Sequence, residues 1–295
     1  MGRAIYVSSV NGDDANSGYA PEKAFRSLKK VNQMEIQPGD QILLERGSVF
    51  VGEYLHLYRG GTKEAPVVVD AYGEGALPRI ETDGNGIWYQ NYGGHLDNVV
   101  HTWKGYLSSA VLLYDAEYIS IRNLEITNNP CVKNERLNQA DRMNRTGVSV
   151  IAKNHGTLHE IELDHLYIHD VEGNIYDKHL NNGGIYMSVS RPDDEEKTGI
   201  ARYDGIHIHH CKVENCRRWG IAAGYTYQHD KFTTLELPDE VVKTYGSTNV
   251  VIEHNFVKDI GGDGITPMYC FEPLHFRLHP LHQLIQHGIS LKVFQ

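Results

Sequence analysis

Four segments of this chain share one pattern of apolar and polar positions and align without gaps. They run from Ile121 to Asn128, Leu163 to Asp170, Ile208 to Asn215 and Ile252 to Asp259, with starts 42, 45 and 44 residues apart. The first position is always Ile or Leu, and the sixth is Ile or Val. The third is Asn123, His165, His210 or His254, and the eighth is Asn128, Asp170, Asn215 or Asp259. A second register follows each segment: Gly147-Val148, Gly184-Ile185, Gly220-Ile221 and Gly264-Ile265. A fixed period of this size means stacked structural repeats. The apolar residues alternate at period two, so the units are strands and not helices. The break in alternation between the third and sixth positions marks a corner. Short strands that turn and return one layer higher make a parallel β-helix with a narrow core of stacked Ile, Leu and Val.

The corner positions suit Asn and Asp, which tolerate left-handed backbone and bond along a stack. Asn128, Asp170, Asn215 and Asp259 are therefore expected as a ladder, which weakens Asp170 as a catalytic residue. His165, His210 and His254 share one position. They are spaced too widely for a single tetrahedral zinc ion unless their rings converge, so a histidine ladder is expected and no metal site is assigned. His207 and His209 alternate with Ile206 and Ile208 and should face outward. Each period is longer than a bare coil needs. The surplus falls in loops at 130–145, 171–183, 191–203 and 228–247, where a rigid rod would carry its binding groups.

Upstream, Ala4–Ser8 reads as a strand, and Asn11–Gly18 is a run of turn formers. That run offers Asp13 and Gly18 at calcium-loop spacing, but Ala15 and Ala24 stand where oxygen ligands are required, so it reads as a plain turn. Pro21 to Gln33 predicts a helix, with Ala24, Leu28 and Val31 on one face. Gln41–Leu44 and 66–72 predict strands separated by glycine corners.

With 295 residues and 40% hydrophobic content, the chain can bury a continuous core. The net charge of −10 argues against a nucleic-acid partner. No apolar run is long enough for a membrane span. The cysteines at 131, 211, 216 and 270 lack metal spacing and are too few for a disulfide scaffold, so they read as small buried thiols. The first residues lack the apolar core of a signal peptide, which means an intracellular protein or a leader absent from this chain.

Tyr6-Val7-Ser8, Asn11-Gly12-Asp13, 24–28, 38–42, Gly61-Thr62, 66–69, 71–73 and Pro78-Arg79-Ile80 together resemble the N-terminal cap of right-handed β-helix proteins of the pectate-lyase-like superfamily. The resemblance covers about residues 4 to 270. It implies a right-handed parallel β-helix with a short N-terminal capping helix, a polysaccharide or oligosaccharide substrate, and an extracellular or periplasmic location. It does not fix the reaction, because lyases, hydrolases, epimerases and phage tailspikes share the fold. Residues 1–272 are read as one domain, with cap and first coils over 1–95 and repeat coils over 96–272. Residues 273–295 depart from the repeat, with histidines at 275, 279, 282 and 287, and are expected to be non-native or to mark a truncation that removes coils.

Aligning the glycine register puts Thr146, Gly183, Trp219 and Asp263 in one column and Arg145, Asn182, Arg218 and Gly262 in the column before it. Successive coils lie about 4.8 Å apart. Asp263 should then sit near Trp219 and Arg218, within reach of the Asp177-Lys178-His179 loop and of Tyr225, Tyr227, His229 and Asp230. Glycoside hydrolysis uses two carboxyl groups, one to protonate the leaving oxygen and one to attack carbon or activate water. Asp263 is the first choice, with Asp177 and Asp170 competing as its partner. A lyase would instead need a base and a cation from Lys178, Arg217, Arg218 or Lys231, or calcium as neutraliser. Trp219, Tyr225 and Tyr227 offer flat faces to a sugar ring, and His179, Asn182, Arg217 and His229 complete the substrate-binding set. Hydrolysis without a required cofactor is slightly favoured, polysaccharide lyase is the runner-up, and a non-catalytic carbohydrate-binding rod is the third alternative.

Overall fold

In a computed structural model the chain is a right-handed parallel β-helix, described over residues 2–94, 102–129, 143–177, 179–234, 236–271 and 274–277. Three sheets form its walls, with eight, six and six parallel strands in their stacked order among the described residues, and a seventh, antiparallel strand joins the third sheet at its side. One full coil shows the route. Thr157–Asp164 runs in the first sheet, Tyr167–Val171 in the second and Gly183–Val189 in the third, and Arg202–His209 then returns to the first sheet one layer higher.

The predicted repeat start becomes a single file. Ile121 pairs with Leu163, Leu163 with Ile208, and Ile208 with Ile252. The file continues downward through Val69, Ile42 and Ile5. All seven are essentially inaccessible to solvent. The sixth position makes a second file, Ile126, Ile168, Val213 and Val257, in the second sheet. Burying each such side chain contributes about 1.5–3 kcal/mol. The helix is therefore held by the sum over its layers and not by one central cluster.

Both repeat signatures at the corners have a steric cause. Asn123, His165, His210 and His254 all adopt left-handed backbone, with φ between 49° and 57°, and form the turn from first to second sheet. The glycines of the second register stand where the second and third sheets close on each other. A Cβ on Gly184 would lie 2.5 Å from a methyl of Val213, and one on Gly220 would lie 2.6 Å from a methyl of Val257. Asp170, Asn215 and Asp259 form the expected left-handed corner, and Asn215 donates to Asp170. Asn128 differs: the ladder slips after Thr127, and the side chain turns inward to Ser108 and the Thr146 carbonyl. The stacked rings of His165, His210 and His254 lie 4.8 and 5.2 Å apart.

The helix predicted over 21–33 is split. Pro21–Lys23 is a 3-10 turn and Leu28–Asn32 a short α-helix. Between them Phe25 bridges to Val7 as a strand would. The Asp14 carboxylate accepts the N–H groups of Arg26 and Ser27, and Glu53 accepts that of Leu28. Local side-chain acceptors thus outcompete a continuous helix. Three of the cysteines, Cys211, Cys216 and Cys270, are buried thiols, as the pattern implied. Cys131 lies outside the described residues. Leu274–Arg277 adds the eighth strand of the first sheet, paired with Thr248–Glu253.

Candidate functional site

The third sheet carries the site on its outer face, and its early layers are covered. Strand Ile87–Asn91 folds back antiparallel on Lys104–Tyr114. Trp88 from that strand packs on Leu107, Leu112, Ile151 and Leu180 and donates to the Ser109 hydroxyl at 2.8 Å. Two layers higher Gln90 of that strand still donates to Ser188, and beyond it Tyr186, Trp219 and Ala222 form a buried cluster on the outer face against which partly exposed Tyr225 and Met268 pack.

A buried amide clamp fixes the rim of this opening. Gln90 donates to Asn181 at 3.0 Å and accepts the Asn181 N–H at 2.8 Å, and the Asn181 amide in turn donates to the Tyr186 carbonyl. The loop after Val171 is thereby tied to the folded-back strand. Asp177 leaves this loop with one carboxylate oxygen accepting from the Asn144 amide at 2.9 Å and the other from the His179 N–H at 3.2 Å. His179 is buried, 4.9 Å from the ring of Tyr225, which also meets Tyr92 and Tyr269.

Across the opening, the register runs Thr146, Gly183, Trp219, with Ile221 opposite Ile265, so Asp263 continues the column above Trp219. The Gly220 N–H donates to the Asp263 carbonyl at 3.0 Å and pins this corner. Arg218 has φ of 72°, which turns its guanidinium away from that of Arg217 and over the Trp219 ring, 4.3 Å from the centroid. Burial pulls the Arg218 pKa below its ordinary value, opposed by the charge of Asp263 and then by Tyr186 and Asp177. The charges of Asp263 and Asp177, from different coils, thus both act on this guanidinium. Tyr186 is fully buried, and desolvation keeps its phenol protonated as a hydrogen-bond donor. Three buried polar atoms here, Arg218 Nε, Trp219 Nε1 and Thr266 Oγ1, have no hydrogen-bond partner among the described residues. Such a concentration marks a surface built for a polar ligand.

The fold brings together Asp177, His179, Arg218, Trp219, Tyr225 and Asp263. It takes the other expected residues elsewhere. Asp170 is occupied by His169 and Asn215 at the second-sheet corner. Arg217 pairs with Glu172 at 3.1 Å, on the second-sheet side. Tyr227 packs into the main core and donates to Glu195 at 2.6 Å. Asn182 is buried as a bracket to the Asn174 carbonyl. His229 opens a 3-10 turn beyond the strand. Lys178 lies outside the described residues. Tyr186, Asn144, Tyr269 and Thr266 were not singled out from the sequence. Strand alternation alone would have placed Tyr186 outward, one residue past the Gly184-Ile185 register.

Fold and site together define a right-handed parallel β-helix with a polar, aromatic-walled opening on its third sheet. The chain is similar to lacto-N-biosidases. It is 40% identical over 309 residues to the lacto-N-biosidase of Bifidobacterium longum subsp. longum, an alignment spanning 92% of this chain and 19% of that protein. It is 56% identical to the crystallised GH136 lacto-N-biosidase of Eubacterium ramulus. The selenomethionine form superposes with a TM-score of 0.89 over 92% of this chain and 43% of that one, and the native form with 0.88 over 91% and 43%. The chain thus spans about a fifth of the curated relative and under half of the solved one. No protein-family model matches it. Among the described residues no helix is long and apolar enough to cross a membrane.

Proposed function

We propose that this chain is the β-helical part of a glycoside hydrolase that cuts a glycosidic bond in an oligosaccharide at a lacto-N-biose unit. The observation that carries the reading is the aromatic cluster of Tyr186, Trp219 and Tyr225 with Arg218 set on the Trp219 ring, flanked by Asp263 in the column above Trp219 and by Asp177 on the adjoining loop beside His179. Two carboxyl groups supply what glycoside cleavage needs, a proton for the leaving oxygen and a base or nucleophile at the anomeric carbon. Asp177, held by two N–H donors, is the oriented carboxylate and takes the base or nucleophile role. Asp263 is the acid. Arg218, Trp219 Nε1 and Thr266 Oγ1 supply donors for sugar hydroxyls, and partly exposed Tyr225 offers a ring face for stacking. The identity to proteins named lacto-N-biosidases supports both the reaction type and the substrate unit.

The lyase and the non-catalytic rod are not favoured. With Arg217 committed to Glu172, the cations that β-elimination would use are fewer. Membership of the pectate-lyase-like superfamily belongs to the same proposal, supported by the cap motifs and coil route. So do an extracellular or periplasmic location and a reaction that needs no cofactor or calcium.

The test is release of aryl alcohol from a chromogenic lacto-N-bioside by the full chain, with Asp263→Asn and Asp177→Asn alongside. Turnover that either substitution abolishes supports the reading. Turnover indifferent to both, or an unsaturated sugar product from a uronate glycan, overturns it.

A further inference from the structure

The turn between the first and second sheets gathers imidazoles and carboxylates far from the third-sheet opening. The repeat is the cause. Asp164 ends one strand, and its register partner one coil higher is His209. The next residues, His165 and His210, occupy the left-handed corner with φ of 49° and 53°, so their rings project and stack 4.8 Å apart. Three ring nitrogens then approach one oxygen. Asp164 Oδ1 lies 2.5 Å from His165 Nδ1, 3.0 Å from His209 Nδ1 and 3.6 Å from His210 Nδ1. His209 Nδ1 and His210 Nδ1 are themselves 2.8 Å apart.

A carboxylate oxygen offers two lone-pair sites, fewer than the three nitrogens that crowd it. The far side of His209 sharpens the point. Its Nε2 lies 3.2 Å from Glu162 Oε1, and the Ser120 hydroxyl holds that carboxylate at 2.5 Å. His207 stacks on the same ring at 3.8 Å and has its own carboxylate, Glu253, at 3.2 Å. When His209 donates Nε2–H to Glu162, its Nδ1 presents a lone pair to both Asp164 Oδ1 and His210 Nδ1. A proton on one Nδ1 satisfies one of these contacts at a time, whereas a metal cation among the atoms satisfies them together. A carboxylate behind a histidine, fixing its tautomer, is the arrangement that supports metal-ligating imidazoles.

We propose that Asp164, His165, His209 and His210 form a binding site for a divalent transition-metal ion of the zinc class, with Glu162 as the brace behind His209. Zinc bonds of about 2.0–2.1 Å put tetrahedral ligand atoms about 3.3 Å apart, and the observed contacts bracket that separation. Three nitrogens and one oxygen select zinc, cobalt or nickel over calcium and magnesium, which take oxygen donors. All four ligands come from the protein, and two come from each of two successive coils. The ion would staple those coils and stand apart from catalysis. The ladder explains the location: the layer below has Asn123 at this position and supplies no imidazole.

The proposal stands independently of the glycosidase reading, and its test needs no activity. The full chain, stripped with EDTA, is titrated with zinc chloride by calorimetry and with cobalt chloride by visible absorption. Saturable binding of a single ion, a tetrahedral cobalt spectrum and a zinc-dependent rise in Tm are expected. Asp164→Asn and His210→Asn should each weaken binding by about 100-fold or more and abolish the Tm rise, and Glu162→Gln should weaken it by ~10–100-fold. Asn keeps the left-handed corner at position 210, so circular dichroism should be unchanged. A variant with the tail histidines 275, 279, 282 and 287 changed to Gln should bind as the parent does. Absence of saturable binding, or binding that survives Asp164→Asn and His210→Asn but disappears with the tail histidines, overturns the proposal.

Discussion

The guanidinium of Arg218 lies 4.3 Å from the centroid of the Trp219 ring, although the two are sequence neighbours. Consecutive residues on a regular strand point to opposite faces. The left-handed backbone of Arg218 breaks that rule and stacks charge on indole at the mouth of the opening. Lys cannot reproduce a planar stacked cation that also presents a fork of donors. Arg218→Lys is expected to lower kcat/KM on the lacto-N-bioside by roughly 10–100-fold, the equivalent of one charge-assisted contact. Activity within a factor of about two of the parent would remove Arg218 from the substrate face.

The carboxylates separate by location. Asp263→Asn and Asp177→Asn should each lower kcat by about 10²–10⁴-fold, the usual worth of a positioned acid or base. Asp170→Asn, at a corner that Asn also tolerates, should leave kcat unchanged. Steady-state kinetics on the three variants checks this, and a large loss in the Asp170 variant would relocate the site.

Stability should follow the files of stacked side chains. Leu163 has neighbours both above and below in its file. Leu163→Ala should cost about 2–5 kcal/mol and Ile208→Val about 0.5–1.5 kcal/mol in urea denaturation, as cavities in a packed core do.

The corner ladder gives a backbone test. Asp259 has φ of 54° and an exposed side chain. Asp259→Gly should be nearly neutral, whereas Asp259→Val should cost about 1–2 kcal/mol because a β-branched residue resists the left-handed region. Equal Tm values for the two variants would contradict the assigned corner.

Buried His56, whose Nε2 lies 2.9 Å from the Ser109 carbonyl, is pushed from its ordinary value of 6.5 down to about 4 by desolvation. Between those values the unfolded chain binds a proton that the folded chain refuses. Stability from this group is therefore complete above pH 6.5, falls on acidification and levels off below about pH 4. The total is at most roughly 3 kcal/mol. His56→Gln keeps a donor to Ser109 and removes the titration, so its denaturation free energy should vary less steeply across that window. An unchanged slope would refute the assignment.

The coil architecture was legible before any coordinates, because the signal repeats. A file such as Ile121, Leu163, Ile208 and Ile252 needs only the same residue class at a constant period. The column linking Trp219 to Asp263 was legible for the same reason. Tyr227 and Arg217 were not. One depended on core packing and on Glu195 from a preceding loop, the other on Glu172 from a neighbouring coil. The continuous helix over 21–33 failed because Asp14 and Glu53, distant or across a turn, captured its N–H groups.

By itself the sequence determined the layers, their corners and the glycines between sheets, since period-two alternation and left-handed turns are local properties of a chain. Only the tertiary structure decided which chemical groups meet. Asp177 is set beside Asn144 and His179 by a loop clamped by Gln90, and three histidines converge on Asp164 through a turn, a stack and a register pairing. Side-chain encounters of this kind depend on loop paths and on partners many residues away, and no short-range pattern encodes them.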